Sequence, residues 1–255
     1  MNFYSILREE LNVAHFMPYR RTKRVEARLA DTRARILRAA RQLVAEGGFR
    51  EAQVATVAAV AGVATGTVYS YFPSKADLFA EVVSGSSQRE VGVVATIAQA
   101  GGSAVQRLTD ALRAFASRAL RGRRLAYALV AEPVDPEVES TRLEYRRALG
   151  KVLESILTDG INSGDFPPQN AEASAACLVG ALLEGLIGPL APTAGDVTDE
   201  GQELVRAIIA FCLRAVSGKE DREWSQHEVT GSSLPMKSTA NRHRSKGTMR
   251  TRKTV

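Results

Sequence analysis

Metal-ligand spacing, catalytic constellations and nucleotide loops are all missing from this 255-residue chain. Its three histidines, His15, His227 and His243, stand in the terminal segments without neighbours at metal-ligand spacing. No phosphate loop, dinucleotide fingerprint or nucleophile elbow occurs. No metal or cofactor is therefore expected, and no acid-base pair argues for an enzyme. The two cysteines, Cys177 and Cys212, lie inside apolar stretches, which fits buried thiols in a reducing cytoplasm better than a disulfide framework. A redox-sensing thiol would need an exposed, electropositive setting. Glu9 and Glu10 interrupt the start, so no signal peptide is read there. The longest apolar run, near 177–190, contains Glu184 and falls short of the ~20 residues of a membrane span.

Basic residues are abundant, but not evenly so. The net charge of +6 comes from the ends: residues 1–30 hold six basic and three acidic residues, and residues 235–255 hold seven basic and none acidic. The body between them is slightly acidic. Any DNA binding must then rest on local placement of charge rather than on a basic surface. Arg20, Arg21, Lys23, Arg24 and Arg28 form a basic arm suited to following phosphates or entering a minor groove, with a solvated charge run as the plain alternative. Met17, just before this arm, is a second candidate start of translation.

The densest signal is Val54 to Lys75, VATVAAVAGVATGTVYSYFPSK. Val57, Ala58 and Ala61 share one helical face. Gly62 fits the left-handed residue that ends a helix. The following helix, about Thr65 to Phe72, opens on small residues and is polar outside, with Val68 and Phe72 facing inward. That is the build of a helix-turn-helix, whose second helix enters the major groove. A helix approaches base edges closely only if its first turn is small, as Thr65, Gly66 and Thr67 are. Their hydroxyls and methyls suit base edges, and Tyr69, Ser70 and Tyr71 suit phosphate oxygens. Ser74 and Asp77 have capping-box spacing, which aims Lys75 outward at a helix start.

The run GVATGTVYSYFPSKADLF closely resembles the DNA-binding domain of the tetracycline-repressor (TetR) family of bacterial transcriptional regulators. The resemblance extends back over ARILRAARQLVAEGGF, where Ile36, Ala40, Leu43 and Val44 make an apolar stripe ended by Gly47-Gly48, and covers Arg33 to Val83. Two positions depart from the family pattern. Gln53 stands where a capping, phosphate-touching threonine is usual, and Ala64 where a serine is usual.

From about Ser103 to Ser217 the pattern predicts five more helices, broken near Gly122, at Pro133 and Pro136, over Gly164–Pro168 and at Gly188-Pro189. The last two are apolar on more than one face. The expected fold is all-α, with a helix-turn-helix domain followed by a larger helical domain. Its divisions are a flexible basic arm at 1–30, the helix-turn-helix domain at 31–83, an effector-binding and dimerisation domain at 84–217, and a disordered basic tail at 218–255.

The resemblance further implies a homodimer on a palindromic operator in double-stranded DNA, paired through the last two helices. Leu178, Leu182, Leu186, Ile208 and Phe211 are its candidate contacts. It also implies an effector pocket, for which Tyr127, Glu132, Arg142, Tyr145 and Glu184 are the polar or aromatic candidates among apolar stripes. Glu184 equally suits an ion pair across the bundle or the dimer contact. An apolar lining points to a hydrophobic or amphipathic effector. An effector-independent DNA binder, or a helical enzyme or docking protein carrying a helix-turn-helix, remains the alternative.

Overall fold

The computed structural model describes residues 22–193 and 199–218, and among them the chain folds into helices without a strand. Helix α1 (Lys23–Glu51) starts on Thr22, whose Oγ1 accepts from the Val25 N–H at 3.4 Å, with Glu26 in the first turn against the helix dipole. This corrects the end of the expected flexible arm. Lys23, Arg24 and Arg28 ride on the first turns of a capped helix, while Arg20 and Arg21 lie outside the described residues. Near its other end α1 breaks at Gly48, whose φ of 80° and ψ of −177° no helix contains. One further turn, Phe49 to Glu51, follows the break.

Two short helices come next, α2 (Val54–Ala61) and α3 (Thr65–Tyr71), then the long α4 (Lys75–Ala98). The capping box expected at the start of α4 is present: Ser74 Oγ accepts from the Asp77 N–H and the Asp77 carboxylate accepts from the Ser74 N–H, both at 3.0 Å. Five helices follow, α5 (Ala104–Arg121), α6 (Arg123–Val130), α7 (Pro136–Ser163), α8 (Ala171–Leu190) and α9 (Asp199–Ser217). Helix α7 opens directly on Pro136, a residue suited to the first helical position. The stop expected at Gly188-Pro189 is corrected. Pro189 forfeits only one backbone bond in the last turn, and Leu190 gains a buried place in the core.

Two clusters of buried side chains organise these helices. The head cluster joins Ile36, Ala40 and Val44 of α1 to Val57, Ala58, Val68, Phe72, Leu78 and Val83, with Phe49 and Phe79 edge to face at 5.2 Å. The body cluster gathers the leucines of α5, α7 and α8 with Cys212 and Val216 of α9. Neither cluster stops at residue 83. Ala128 of α6 and Val138 of α7 belong to the head cluster, so α6 is welded to the head as well as to the body. Helix α4 serves both: Leu78 to Val83 sit in the head, Val94 and Ala98 in the body, and Ser84-Gly85-Ser86-Ser87 lie between. Helix α8 is long and apolar enough by length and composition to cross a membrane. Its Leu178, Leu182, Leu186 and Leu190 nevertheless pack inside the body, as in a core helix. The tail expected beyond Gly218 lies outside the described residues.

Candidate nucleic-acid interface and effector cavity

The turn between α2 and α3 bends the chain by 100°, within the range of a helix-turn-helix. Gly62 makes the bend possible with φ 65° and ψ 42°, the left-handed region that a Cβ disfavours. Arg35 of α1 donates to the carbonyls of Ala61 and Gly62. A cation thus meets the carbonyl end of α2, where the helix dipole favours it. Nothing local in the sequence signals this brace, because the partners lie 26 and 27 residues apart.

With α3 anchored inward by Val68 and Phe72, its other face points to solvent. Thr65, Gly66 and Ser70 are exposed, and Tyr69 is 47 % exposed. Thr67 is half-buried, and so is Tyr71, which packs against the head cluster. The Ser70 hydroxyl donates to the Thr67 carbonyl at 2.7 Å and so offers an incoming group only its lone pairs. Neither departure from the family pattern supplies a cap. Gln53 turns its amide back to the Arg50 carbonyl at 2.7 Å, and Ala64 makes no side-chain bond. Lys75 is half-buried with its Nζ 5.5 Å from the centre of the Phe79 ring, rather than fully outward. Arg33 lies over Phe72 at 5.1 Å and pairs with Glu81, tying α1 to α4 behind the turn.

The five expected effector residues do not come together. Only Tyr145 lines the cavity enclosed by α1 and α4 to α8, a space of about 340 Å³. Burial and the nearby Glu90 carboxylate push its phenol upward. Tyr127 packs half-buried against the body core instead. Glu184 is exposed on an outer groove between α7 and α8, which Arg146, Arg147 and Lys151 also line. It makes no ion pair within 4 Å among the described residues.

Glu132 and Arg142 are corrected outright: they are a bolt, not a pocket lining. The Glu132 carboxylate accepts from the Phe49 N–H at 3.2 Å and the Arg50 N–H at 3.4 Å, the donors left unpaired where α1 breaks at Gly48. Arg124 stands 3.8 Å from the same carboxylate and donates to the Gly47 carbonyl. Arg142 donates to the carbonyls of Ala128 and Glu132, and its guanidinium lies 5.9 Å from the Phe49 ring. Burial lowers its pKa, against the opposing pull of Glu139. A Cβ on Gly48, already strained at φ 80°, would also run into Arg124 Nη2 and the Glu132 carboxylate, so the bolt requires glycine there.

The rest of the cavity that Tyr145 lines draws on residues that the sequence pattern did not single out. Arg41 of α1, Ser87 and Glu90 of α4 and Arg118 of α5 form its polar side. Phe115, Leu125, Leu129, Leu183, Leu186 and Leu190 form its apolar side.

The expected dimer contacts divide in two. Leu178, Leu182 and Leu186 are buried within their own chain, because the stripe they form is the face of α8 that closes the body core. They cannot meet a second subunit. Phe211 is 54 % exposed and Leu204 is exposed beside it, with Ile208 half-buried against Gly185. The open face of α8 carries small residues, Ala173, Ala176, Cys177 and Gly180. Cys177 is therefore exposed, contrary to expectation, whereas Cys212 is buried and its thiol pKa raised by burial.

Residues 36–82 match the family model of bacterial regulatory proteins, tetR family. The fatty acid metabolism regulator protein of Bacillus subtilis (strain 168) is 27 % identical over 138 residues, 51 % of this chain and 69 % of that protein. The HTH-type transcriptional repressor KstR of Mycolicibacterium smegmatis is 27 % identical over 179 residues, 70 % of this chain and 85 % of that protein. The crystal structure of the transcriptional regulator FadR from Bacillus subtilis in complex with stearoyl-CoA shares the fold, with a TM-score of 0.59 at 23 % identity over 73 % of this chain and 99 % of that one.

Proposed function

We propose that this chain, a DNA-binding transcriptional regulator with the amino-terminal domain of the TetR family, works as a homodimeric repressor on a palindromic operator and leaves it when a small hydrophobic or amphipathic effector binds. The observation that carries this reading is the outward face of α3: its first turn is small, with Thr65 and Gly66 exposed and Thr67 half-buried, while Val68 and Phe72 hold its other side in the head. Thr65, Gly66 and Thr67 face base edges, and Tyr69, Ser70, Tyr71, Gln53 and Lys75 face the sugar-phosphate backbone. One such module reads too few base pairs to be selective. Two copies, with their α3 helices about 34 Å or a multiple apart, read a palindrome. The exposed Phe211 and Leu204 and the small-residue face of α8 are the surfaces offered for that pairing. DNA as partner places the protein in the bacterial cytoplasm.

The effector site is the 340 Å³ cavity, which lies at the small end of ligand pockets. A hundredfold change in operator occupancy requires roughly 2.7 kcal/mol of differential affinity between the two states, within the usual allosteric range. A nuclease footprint over an inverted repeat beside the gene, with sedimentation of the free protein, tests the reading. A protected repeat and a dimer are expected. A monomer in solution, or protection without dyad symmetry, overturns it, and operator release that no extract of small molecules can produce removes the effector from it.

A further inference from the structure

We propose that the cavity lined by Arg41, Arg118 and Tyr145 takes an amphipathic anion, with its acid group held between Arg41 and Arg118 and its chain among the leucines, so that the ligand grips the DNA-binding head directly through α1. This rests on reading the cavity as the effector site and names the chemistry of its occupant. The lining is divided by polarity. Arg118 pairs with Glu90 and Arg41 feels the same carboxylate, and with Arg121 also on the lining the cavity carries an excess of two positive charges. The apolar lining is contributed chiefly by α6 and α8.

The cations are not equivalent. Arg118 is held by Glu90 in a two-pronged pair at 2.7 and 2.9 Å. Arg41 has no hydrogen bond or ion pair among the described residues. Arg41 is exposed as a whole residue, but what burial its guanidinium has, together with the neighbouring Arg89, disfavours its charge, with Glu90 opposing. A bound acid group would satisfy Arg41, share Arg118 with Glu90 and cancel half of the charge excess. A cationic ligand would add to that excess, and a neutral one would leave Arg41 as it is.

Two hydroxyls complete the polar lining. Ser87 and Tyr145 line both this cavity and a neighbouring groove between α4 and α7, and neither side chain has a hydrogen-bond partner among the described residues. They are free to bind the second oxygen of an acid. Arg41 lies on α1, the helix that packs beneath α2 and α3, whereas Arg118 lies on α5 of the body. An anion bridging the two would therefore fix α1 against α5, a restraint that no neutral tail could supply.

The test uses the full chain and four twelve-carbon probes below their micelle concentrations: dodecanoate, dodecyl phosphate, dodecanol and dodecyltrimethylammonium. Affinity is read by calorimetry and operator release by fluorescence anisotropy. At least one of the anions is expected to bind tenfold or more tightly than dodecanol, and the cation more weakly than both. Arg41→Gln, at an exposed position, should cost the anion about tenfold and leave dodecanol unchanged. Glu90→Gln, which removes the competing carboxylate, should tighten the anion. Equal affinity for dodecanol and the anions, or an Arg41→Gln variant that binds anions as the parent does, overturns the anion assignment and leaves the effector cavity standing. Failure of all four probes to bind, or binding that survives filling the cavity by Ala126→Phe, overturns both.

Discussion

Replacing Glu132 by alanine should destabilise the protein without touching either the DNA-facing surface or the cavity. The Phe49 N–H that Glu132 accepts from at 3.2 Å is buried and opens a fresh turn just after the Gly48 break. Leaving such a donor unpaired costs about 1–3 kcal/mol. The Arg50 N–H at 3.4 Å is part-buried and water can replace some of that bond. The 3.8 Å pair with Arg124, itself partly exposed, adds less than about 1 kcal/mol. Taken together the loss is about 3 kcal/mol, which for a domain of this size lowers Tm by roughly 6–12 °C. Glu132→Gln keeps one acceptor oxygen and should fall about halfway. Calorimetric melting of the three proteins, with hydrogen exchange at Phe49 and Arg50, measures this. An alanine variant that melts within 1 °C of the parent, with those two amides still protected, refutes the bolt. If Glu132 instead lined an effector site, as its place in the sequence suggests, the same variant would keep its Tm and lose effector affinity.

Gly62→Ala should cost about 1–2 kcal/mol, since it forces a Cβ into the left-handed region, and should lower operator affinity by misaligning α3; unchanged melting and binding would refute the turn's role. Lys75→Ala should weaken binding to all sequences alike and reduce the salt slope by about one, whereas Thr65→Ala should change which operator is preferred; mobility shifts across salt and across operator variants distinguish the two. Phe211→Asp should split the proposed dimer in sedimentation. It should also speed alkylation of Cys177, which lies on the open face of α8, while Cys212 stays inert in both forms.

Local features of this fold were legible in the sequence because local rules decide them. Gly62 reads as a left-handed cap and Ser74 with Asp77 as a capping box, since both depend on residues within one or two turns. The inward Val68 and Phe72 follow from a spacing of four. What the sequence hid depends on distance along the chain. Arg35 reaches Gly62 across 27 residues, Glu132 reaches Phe49 across 83, and Arg118 reaches Glu90 across 28. No periodicity announces such pairings. The leucine stripe of α8 misled for a related reason. A pattern states that a face is apolar but not whether its cover is the same chain or a second one, and here it is the same chain. Polar residues inside apolar stripes suggest a pocket lining, yet Glu132 accepts from backbone N–H groups at the Gly48 break and Arg142 donates to carbonyls at the end of α6.

Helix α4 is a rod about 36 Å long by its 24 residues, shared by head and body, and its weakest stretch lies at mid-length. Ser84, Gly85, Ser86 and Ser87 are poor helix formers, together about 2–3 kcal/mol less favourable than an alanine run. Ser87 and Glu90, at that same level, border the cavity. The rod is thus most pliable beside the very space where a guest would press on it, and stiff at the ends buried in the two cores. Stiffness there is adjustable on its own, because a methyl group at Gly85 would meet nothing within 4 Å. Gly85→Ala should therefore leave guest affinity and operator contacts in place while blunting the transmission between them, a dial on responsiveness that neither binding surface carries.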